Sequence, residues 1–132
     1  MPDEKVRKEV VLEYCRRMNA GDLDGVLALF APDARFEDPA GSTPMVGTDA
    51  IGAHLAQAIA ADVRETPEEP MAAMDAEHVV LPVSITLQTP QLPAGTRARM
   101  NLMSVVKVGA DHRIRDVRVY WGESDTALVA DA

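Results

Sequence analysis

Apolar residues recur at helical spacing at the start of the chain. Val6, Val10, Tyr14 and Met18 lie four positions apart, and charged residues occupy the faces between them. This spacing predicts an amphipathic helix. Gly21 is expected to end the helix, because glycine readily adopts the left-handed conformation that closes a helix.

Two more helices are predicted in the first half of the chain. Asp22 and Thr48 are suitable N-cap residues, since their side-chain oxygens can accept hydrogen bonds from free backbone N–H groups. Between these helices, after Pro32, residues 34–38 predict a short strand that Pro39 closes. The buried faces are predicted to comprise Leu23, Val26, Leu27 and Phe30 in the second helix and Ile51, Leu55 and Ile59 in the third.

The hydrophobic period changes to two in the second half of the chain, which indicates β-strands. Long strands are predicted at 78–87, 97–108 and 113–121. Pro82 indicates an edge or a bulge in the first of these, because proline has no N–H to donate. The preceding stretch, 62–75, contains Pro67 and Pro70 and is interpreted as a broken or edge strand.

This order of elements predicts an α+β fold. Three helices followed by consecutive strands are expected to gather on one face of an antiparallel sheet. If that sheet were strongly bent around the helices, a cone-shaped cavity would lie between the two layers. With 132 residues and no repeat or linker, residues 1–132 are expected to form a single domain.

The charge balance limits the possible partners. The chain has 13 Lys and Arg against 21 Asp and Glu, a formal net charge of -8. This excess argues against nucleic acids and anionic membranes, because both bind basic surfaces. No apolar stretch approaches the length of a transmembrane helix, and the N-terminal segment is too charged for a secretory signal. We therefore expect a cytoplasmic protein.

The sequence predicts no metal site and no organic cofactor. Cys15 is the only cysteine, which leaves neither an intrachain disulfide nor a cysteine-based zinc site. The three histidines, His54, His78 and His112, show no ligand spacing. The sequence also has no Gly-rich phosphate loop, nucleophile elbow or dinucleotide fingerprint.

Strand alternation makes Asp38 a candidate for acid–base chemistry. If Phe36 faces the core, Asp38 is carried into the same apolar environment. Desolvation disfavours the charged form of a carboxylate, which suits a general base. The structural alternative is a turn residue at the strand end, ahead of Pro39.

Tyr14 and Glu65 are the other candidates, and each has a structural alternative. Tyr14 lies on the apolar stripe of the first helix, where a tyrosine is commonly a core aromatic with a satisfied hydroxyl. Glu65 shares a strand face with Val63, but it also belongs to an acidic stretch that could be solvated.

Four segments resemble the ketosteroid isomerase-like (SnoaL-like) superfamily, and the resemblance covers nearly the whole chain. They are Tyr14–Asp22, Leu29–Gly41, Val46–Ile51 and Arg113–Gly122. The most specific part is Phe-Glu-Asp-Pro-Ala-Gly at 36–41. The resemblance implies a cone-shaped, strongly bent sheet with a deep hydrophobic pocket, often in a homodimer. It also implies that Asp38 is a general base and Tyr14 an acid or oxyanion-hole tyrosine.

One position departs from the steroid isomerases of this superfamily. Those enzymes combine the base with an oxyanion hole made of a tyrosine and a protonated aspartic acid. Counting back from Tyr120 and Trp121, the position of that aspartic acid is Ser104. A serine hydroxyl is a weaker donor, so this difference argues against steroid isomerisation.

A closer resemblance is to the polyether epoxide hydrolases of the monensin and lasalocid type. Residues 56–79 and 120–125 are similar to theirs. That branch pairs the aspartate at Asp38 with an acidic residue at the position of Glu65. The resemblance therefore implies that the chain opens an epoxide of a polyketide by intramolecular hydroxyl attack, with Asp38 as the base and Glu65, aided by Tyr14, as the acid.

Two alternatives stay open at this point. One is a steroid delta-isomerase that uses Tyr14, Asp38 and Ser104, and the other is a non-catalytic ligand-binding module of the same fold. Under all three interpretations we expect a hydrophobic small molecule, polyketide or steroid-like, as the partner of a homodimer. Besides the three catalytic candidates, the residues expected to contact it are Phe36, Leu55, Leu102, Ser104, Val119 and Trp121.

Overall fold

Three helices are present in the computed structural model, which describes residues 3–131. They are α1 (Glu4–Asn19), α2 (Leu23–Leu27) and α3 (Thr48–Ala60). Asp22 caps α2, as predicted, by accepting a hydrogen bond from the backbone N–H of Gly25 at 3.0 Å. The prediction that Thr48 caps α3 is wrong. Thr48 is the first residue of the helix, and the cap is Gly47, whose φ of 88° favours glycine.

The buried face of α1 differs from the predicted one. Its buried residues are Arg7, Val11, Cys15 and Met18, so the helix is turned by about one residue relative to the apolar stripe in the sequence. Arg7 can be buried because its guanidinium donates to the carbonyl oxygens of Ala73 and His78, at 3.0 and 2.6 Å. A charged residue therefore occupies a position that the hydrophobic pattern assigned to solvent.

Eight strands form one bent sheet on which the three helices pack. The strands are β1 (Phe30–Glu37), β2 (Met45–Val46), β3 (Arg64–Pro67), β4 (Met71–Ala72), β5 (His78–Leu87), β6 (Thr96–Val108), β7 (Ile114–Tyr120) and β8 (Thr126–Ala130). The strand order is β2-β1-β7-β6-β5-β3, with β4 paired to β5 and β8 paired to β6. The predicted α+β fold with a strongly bent sheet is confirmed.

The expectation of a purely antiparallel sheet is wrong at one pairing. β1 and β7 run parallel, with Phe36 opposite Val117, whereas the remaining strand pairs are antiparallel. Parallel neighbours require a crossover connection, and α3 with strands β2 to β6 separates β1 from β7 in sequence. The sheet is therefore mixed.

The proline-rich stretch before β5 forms a broken edge, as predicted. β3 and β4 both pair with β5, and the chain leaves the sheet between them. Pro82 lies where this pairing is interrupted, and its carbonyl accepts from the N–H of Glu68 at 2.9 Å. β5 itself is not an edge strand, since β6 pairs along its other side. The missing N–H of Pro82 therefore falls in the gap between β3 and β4.

The start of β1 and the presence of β8 also differ from the prediction. The hydrophobic pattern places Phe30 in the second helix, but the residue starts β1, where it pairs with Ile114 of β7. β8 was not predicted, and its residues are mostly exposed, so no buried face marks it in the sequence. The buried apolar residues of the core are Val11, Cys15, Met18, Val26, Phe30, Ala34, Phe36, Ile51, Leu55, Val63, Val79, Leu81, Val83, Leu102, Val106, Val108, Ile114, Val117 and Val119.

Candidate active site

A cavity of about 340 Å³ lies between the helices and the inner face of the sheet. Most of its wall is aliphatic, which is typical of sites for hydrophobic small molecules. All nine residues that the sequence analysis selected line it: Tyr14, Phe36, Asp38, Leu55, Glu65, Leu102, Ser104, Val119 and Trp121. The structure thus brings the candidate residues together in one place.

Asp38 reaches the cavity by the strand alternation that the sequence predicted. Ala34 and Phe36 of β1 are buried, and Asp38 follows two positions later, directly after the strand ends. Its two carboxylate oxygens have different partners. Trp121 Nε1 donates to Oδ1 at 2.8 Å, and His54 Nε2 lies 3.1 Å from Oδ2. These two contacts fix the orientation of the carboxylate while leaving it accessible from the cavity.

His54 is the main site residue that the sequence analysis did not select. It lies on α3 between the buried residues Ile51 and Leu55, and its ring centroid is 5.5 Å from that of Phe36. Its position three residues after Ile51 places it on the inward side of the helix. That spacing is a signal in the sequence for an inward-facing histidine, whereas a single histidine shows none of the spacing of metal ligands.

Glu65 is buried, although it comes from a short edge strand. Its exposed fraction is 7%, and Val63, two positions earlier, is buried as well, so the predicted shared face is confirmed. Burial raises the pKa of the Glu65 carboxyl to about 7, and the charge of Asp38 adds to this effect. A hydrogen bond with the Cys15 thiol acts in the opposite direction. At neutral pH a large fraction of this side chain is therefore a neutral carboxylic acid.

Tyr14 faces the same cavity from α1. Burial raises the pKa of its hydroxyl well above the usual value, and the negative charges of Glu65 and Asp38 contribute further. The edge of its ring packs on Phe30, with 6.1 Å between the ring centroids. The hydroxyl therefore keeps its proton at physiological pH and can act as a hydrogen-bond donor.

Together these groups supply a proton acceptor and proton donors within one apolar cavity. Asp38 can accept a proton, whereas Glu65 and Tyr14 can donate to an oxygen atom. Ser104 of β6 adds a hydroxyl between Leu102 and Val106 on the cavity wall. Two carboxyls of unequal environment are the usual basis for separate acid and base roles.

Outside the cavity, one group of side chains in residues 3–131 is close enough to share an ion. The ligand atoms of Asp75, Glu77 and His78 lie within 4.8 Å of one another. The Asp75 carboxylate already accepts hydrogen bonds from the backbone N–H groups of Glu77 and His78, which accounts for the cluster. In the same range, no helix is both long and apolar enough to span a membrane.

A family model and a curated sequence relative match this chain. The model of the SnoaL-like domain matches residues 11–117. Epoxide hydrolase LasB of Streptomyces lasalocidi is 52% identical over 130 residues, which are 98% of this chain. The match covers 46% of LasB, so this chain spans about half the length of that relative.

Solved structures match over nearly the full chain. One was described for the role of the epoxide hydrolase/cyclase-like enzyme SalBIII in pyran ring formation in the polyether salinomycin. It is 30% identical with a TM-score of 0.93, over 98% of this chain and 100% of SalBIII. Rv0760c of Mycobacterium tuberculosis, in complex with estradiol-17β-hemisuccinate, is 22% identical with a TM-score of 0.83, over 92% of this chain and 98% of that one. The latter similarity bears on the fold alone.

Proposed function

This chain belongs to the SnoaL-like domain family, and we propose that it is a cofactor-independent epoxide hydrolase/cyclase acting on an epoxide of a polyketide intermediate. Two relatives support this assignment. LasB is named an epoxide hydrolase, and SalBIII is described with pyran ring formation in a polyether. The apolar cavity, with a few convergent polar groups, fits a largely aliphatic chain that carries epoxide and hydroxyl oxygens.

Asp38 is the proposed general base. A hydroxyl group of the substrate would lie against the carboxylate and lose its proton to it as the oxygen attacks an epoxide carbon. The Trp121 and His54 contacts hold the carboxylate in one orientation, so a substrate hydroxyl meets a preformed acceptor.

Glu65 is the proposed general acid, and Tyr14 assists it. As the new C–O bond forms, the epoxide C–O bond breaks, and the leaving oxygen takes the proton of the neutral Glu65 carboxyl. The Tyr14 hydroxyl donates a hydrogen bond to the same oxygen. The product is a cyclic ether that bears a new hydroxyl group.

The proton balance closes within the site. Ring closure leaves Asp38 protonated and Glu65 ionised, and transfer of the proton from Asp38 to Glu65 restores the starting state. Cyclisation is therefore a net isomerisation of the substrate, whereas attack by water in place of the substrate hydroxyl would give a diol.

The burial of Glu65 is the observation that carries this proposal. A solvated glutamate would be ionised at neutral pH and could not donate a proton. The apolar wall and the Asp38 charge instead keep the pKa of Glu65 near 7, which is close to the working pH expected of an efficient acid.

Substitution of the two carboxyls tests the assignment. We expect Glu65→Gln and Asp38→Asn each to lower kcat on a hydroxy-epoxide polyketide by about 10²–10⁴-fold, because each removes one proton transfer. Mass spectrometry distinguishes the product of cyclisation, which keeps the substrate mass, from a diol, which is heavier by one water. Glu68→Gln is the matched control, since Glu68 is an exposed carboxylate nearby and should keep wild-type turnover.

Other results would support the alternatives. Unchanged turnover in Glu65→Gln would contradict the proposal. Conversion of a β,γ-unsaturated steroid ketone to its conjugated isomer, with no epoxide opening, would support the isomerase that uses Ser104. Tight binding of both ligand classes without turnover would support a non-catalytic binding module.

We also propose that the protein is a homodimer and works in the cytoplasm. Tyr120 is 48% exposed on the outer face of the sheet, opposite the partly buried Met103, and a dimer that used this face would cover its ring. Light scattering should then give twice the 14.2 kDa of one chain. Cell fractionation would test the cytoplasmic location.

A further inference from the structure

We propose that Asn19 is a positioning residue that keeps Glu65 turned into the cavity by fixing the register of β3. This inference rests on the proposed role of Glu65 as the acid. The side-chain amide of Asn19, the last residue of α1, contacts the backbone of Glu65 at both polar groups. Its Nδ2 donates to the Glu65 carbonyl at 2.8 Å, and its Oδ1 accepts from the Glu65 N–H at 2.6 Å.

The amide replaces a missing neighbouring strand. β3 ends the strand order of the sheet and pairs with β5 alone, so its outer backbone groups have no strand to bind. Asn19 supplies one donor and one acceptor at the spacing that a strand would offer. Short edge strands are weakly specified, so a side chain that binds one particular residue has a large effect on their register.

Only one residue of this segment can satisfy both ends of the Asn19 amide. Backbone groups of alternate residues point to the same side of a strand, so Val63 and Pro67 are the neighbours that could replace Glu65. The N–H of Val63 already donates to the Ala58 carbonyl at 3.1 Å. Pro67 has no N–H. A shift by two residues in either direction would therefore lose a hydrogen bond, and a shift by one residue would turn Glu65 outward.

Helix α1 also contacts the side chain of Glu65. Cys15 lies one turn before Asn19, and the interaction of its thiol with the Glu65 carboxyl lowers the pKa of that carboxyl. The titratable groups that face Glu65 are Tyr14 and Cys15 on α1 and Asp38 at the end of β1. Because Asn19 is uncharged, its removal changes none of these charges and acts only through the position of β3.

The test compares Asn19→Ala with Asn101→Ala, a control that removes an exposed amide from β6. We expect Asn19→Ala to lower kcat by about 10–100-fold, because the acid is misplaced, with a smaller change in KM. The control should keep wild-type kinetics. Asn19→Ser keeps a single polar atom on a shorter side chain, so it reproduces the two-point contact poorly and should fall between wild type and Asn19→Ala. It also serves as the test variant if the alanine protein does not fold.

A double variant separates positioning from general stability. Asn19→Ala should cause no further loss of kcat when Glu65→Gln is already present, since Asn19 acts through the Glu65 carboxyl. An equal loss in both backgrounds would overturn the proposal.

A titration provides a readout that does not need turnover. Carbon-13 NMR of labelled glutamate identifies the Glu65 signal by its loss in Glu65→Gln. In Asn19→Ala the pKa obtained from the titration of this signal should fall from about 7 toward the ordinary 4.5, because the Glu65 carboxyl becomes exposed to water. If the wild-type protein opens no epoxide, the proposed function fails, yet this titration still decides whether Asn19 positions Glu65. An unchanged midpoint would contradict the positioning role.

Discussion

At the scale of single residues, the pKa of Glu65, the proposed acid, depends on the neighbouring side chains as well as on its burial. The Cys15 thiol opposes the two effects that raise the pKa of Glu65, which are burial and the charge of Asp38. We expect Cys15→Ala to raise the pKa of Glu65 above about 7, because the hydrogen bond that favours the ionised form is lost. Cys15→Ser retains a donor and should shift the pKa less.

The alkaline limb of the pH profile of kcat measures this difference. It should move to higher pH in Cys15→Ala and return toward the wild-type position in Cys15→Ser. A shift to lower pH in the alanine variant would show that the thiol does not stabilise the carboxylate.

His54 provides a second prediction at this scale. His54→Leu removes the contact at Asp38 Oδ2 and leaves the Trp121 contact at Oδ1 in place. We expect kcat to fall by about tenfold, because Asp38, the proposed base, loses one of the two contacts that orient its carboxylate and the reacting atoms are less well aligned. Steady-state kinetics would measure it, with His112→Asn as the control. His112 is exposed and has a φ of 64°, a conformation that asparagine tolerates. Loss of activity in the control, or full activity in His54→Leu, would contradict this role.

The positions of site residues were largely predictable, whereas their contacts were not. Strand alternation around Phe36 and Val63 was enough to turn Asp38 and Glu65 inward, and the structure agrees at both positions. The contact of His54 with Asp38 joins α3 to the end of β1. No periodicity within one element contains information on such a contact, which depends on how the elements pack.

At the scale of elements, Arg7 fixes α1 to both ends of the loop from β4 to β5, at Ala73 and at His78, the first residue of β5. Its buried guanidinium donates to the carbonyls of Ala73 and His78. We expect Arg7→Met to lower the free energy of unfolding by about 1–3 kcal/mol, because the partly buried Ala73 loses the hydrogen-bond donor to its carbonyl. Urea denaturation measures this change. Lys5→Met is the control, since Lys5 is exposed on the same helix, and an equal loss in both variants would contradict the explanation.

Arg7 also shows why the face of α1 was misjudged. A hydrophobic pattern assigns every arginine to solvent, although a guanidinium whose hydrogen bonds are satisfied can be buried.

The pairing of strands is also beyond what a hydrophobic pattern predicts, as β1 and β7 show. Their sequences predict two strands, but the parallel pairing depends on the path of the chain between them. β8 lacks a buried face, so its pairing with β6 leaves no pattern to detect.

At the scale of the whole molecule, the buried Glu65 carboxyl lowers the free energy of unfolding as the pH rises. The pKa of Glu65 is about 7 in the folded protein and 4.5 as the ordinary value. Between these values the folded state binds more protons than the unfolded state, so stability falls with increasing pH. Well above pH 7 the loss of unfolding free energy caused by ionisation of Glu65 reaches its full value of about 3 kcal/mol.

Comparison with Glu65→Gln isolates this effect. The variant has no carboxyl to ionise at this position. The unfolding free energy of Glu65→Gln minus that of the wild type should therefore increase by about 3 kcal/mol between pH 4.5 and pH 8. Chemical denaturation at several pH values measures the difference. A constant difference across this range would contradict the raised pKa. A single cooperative transition would also support the expectation of one domain.

The cone shape itself has a consequence for how the two carboxyls meet. Asp38 follows β1 near one margin of the sheet, and Glu65 lies on β3 at the opposite margin, four strand spacings away. In a flat sheet those margins would be about 19 Å apart. The bend of the sheet instead brings both carboxyls to the wall of one cavity, where a single substrate molecule would contact both. A molecule with every one of these residues but a straighter sheet would hold the proposed base and the proposed acid too far apart to act on one substrate.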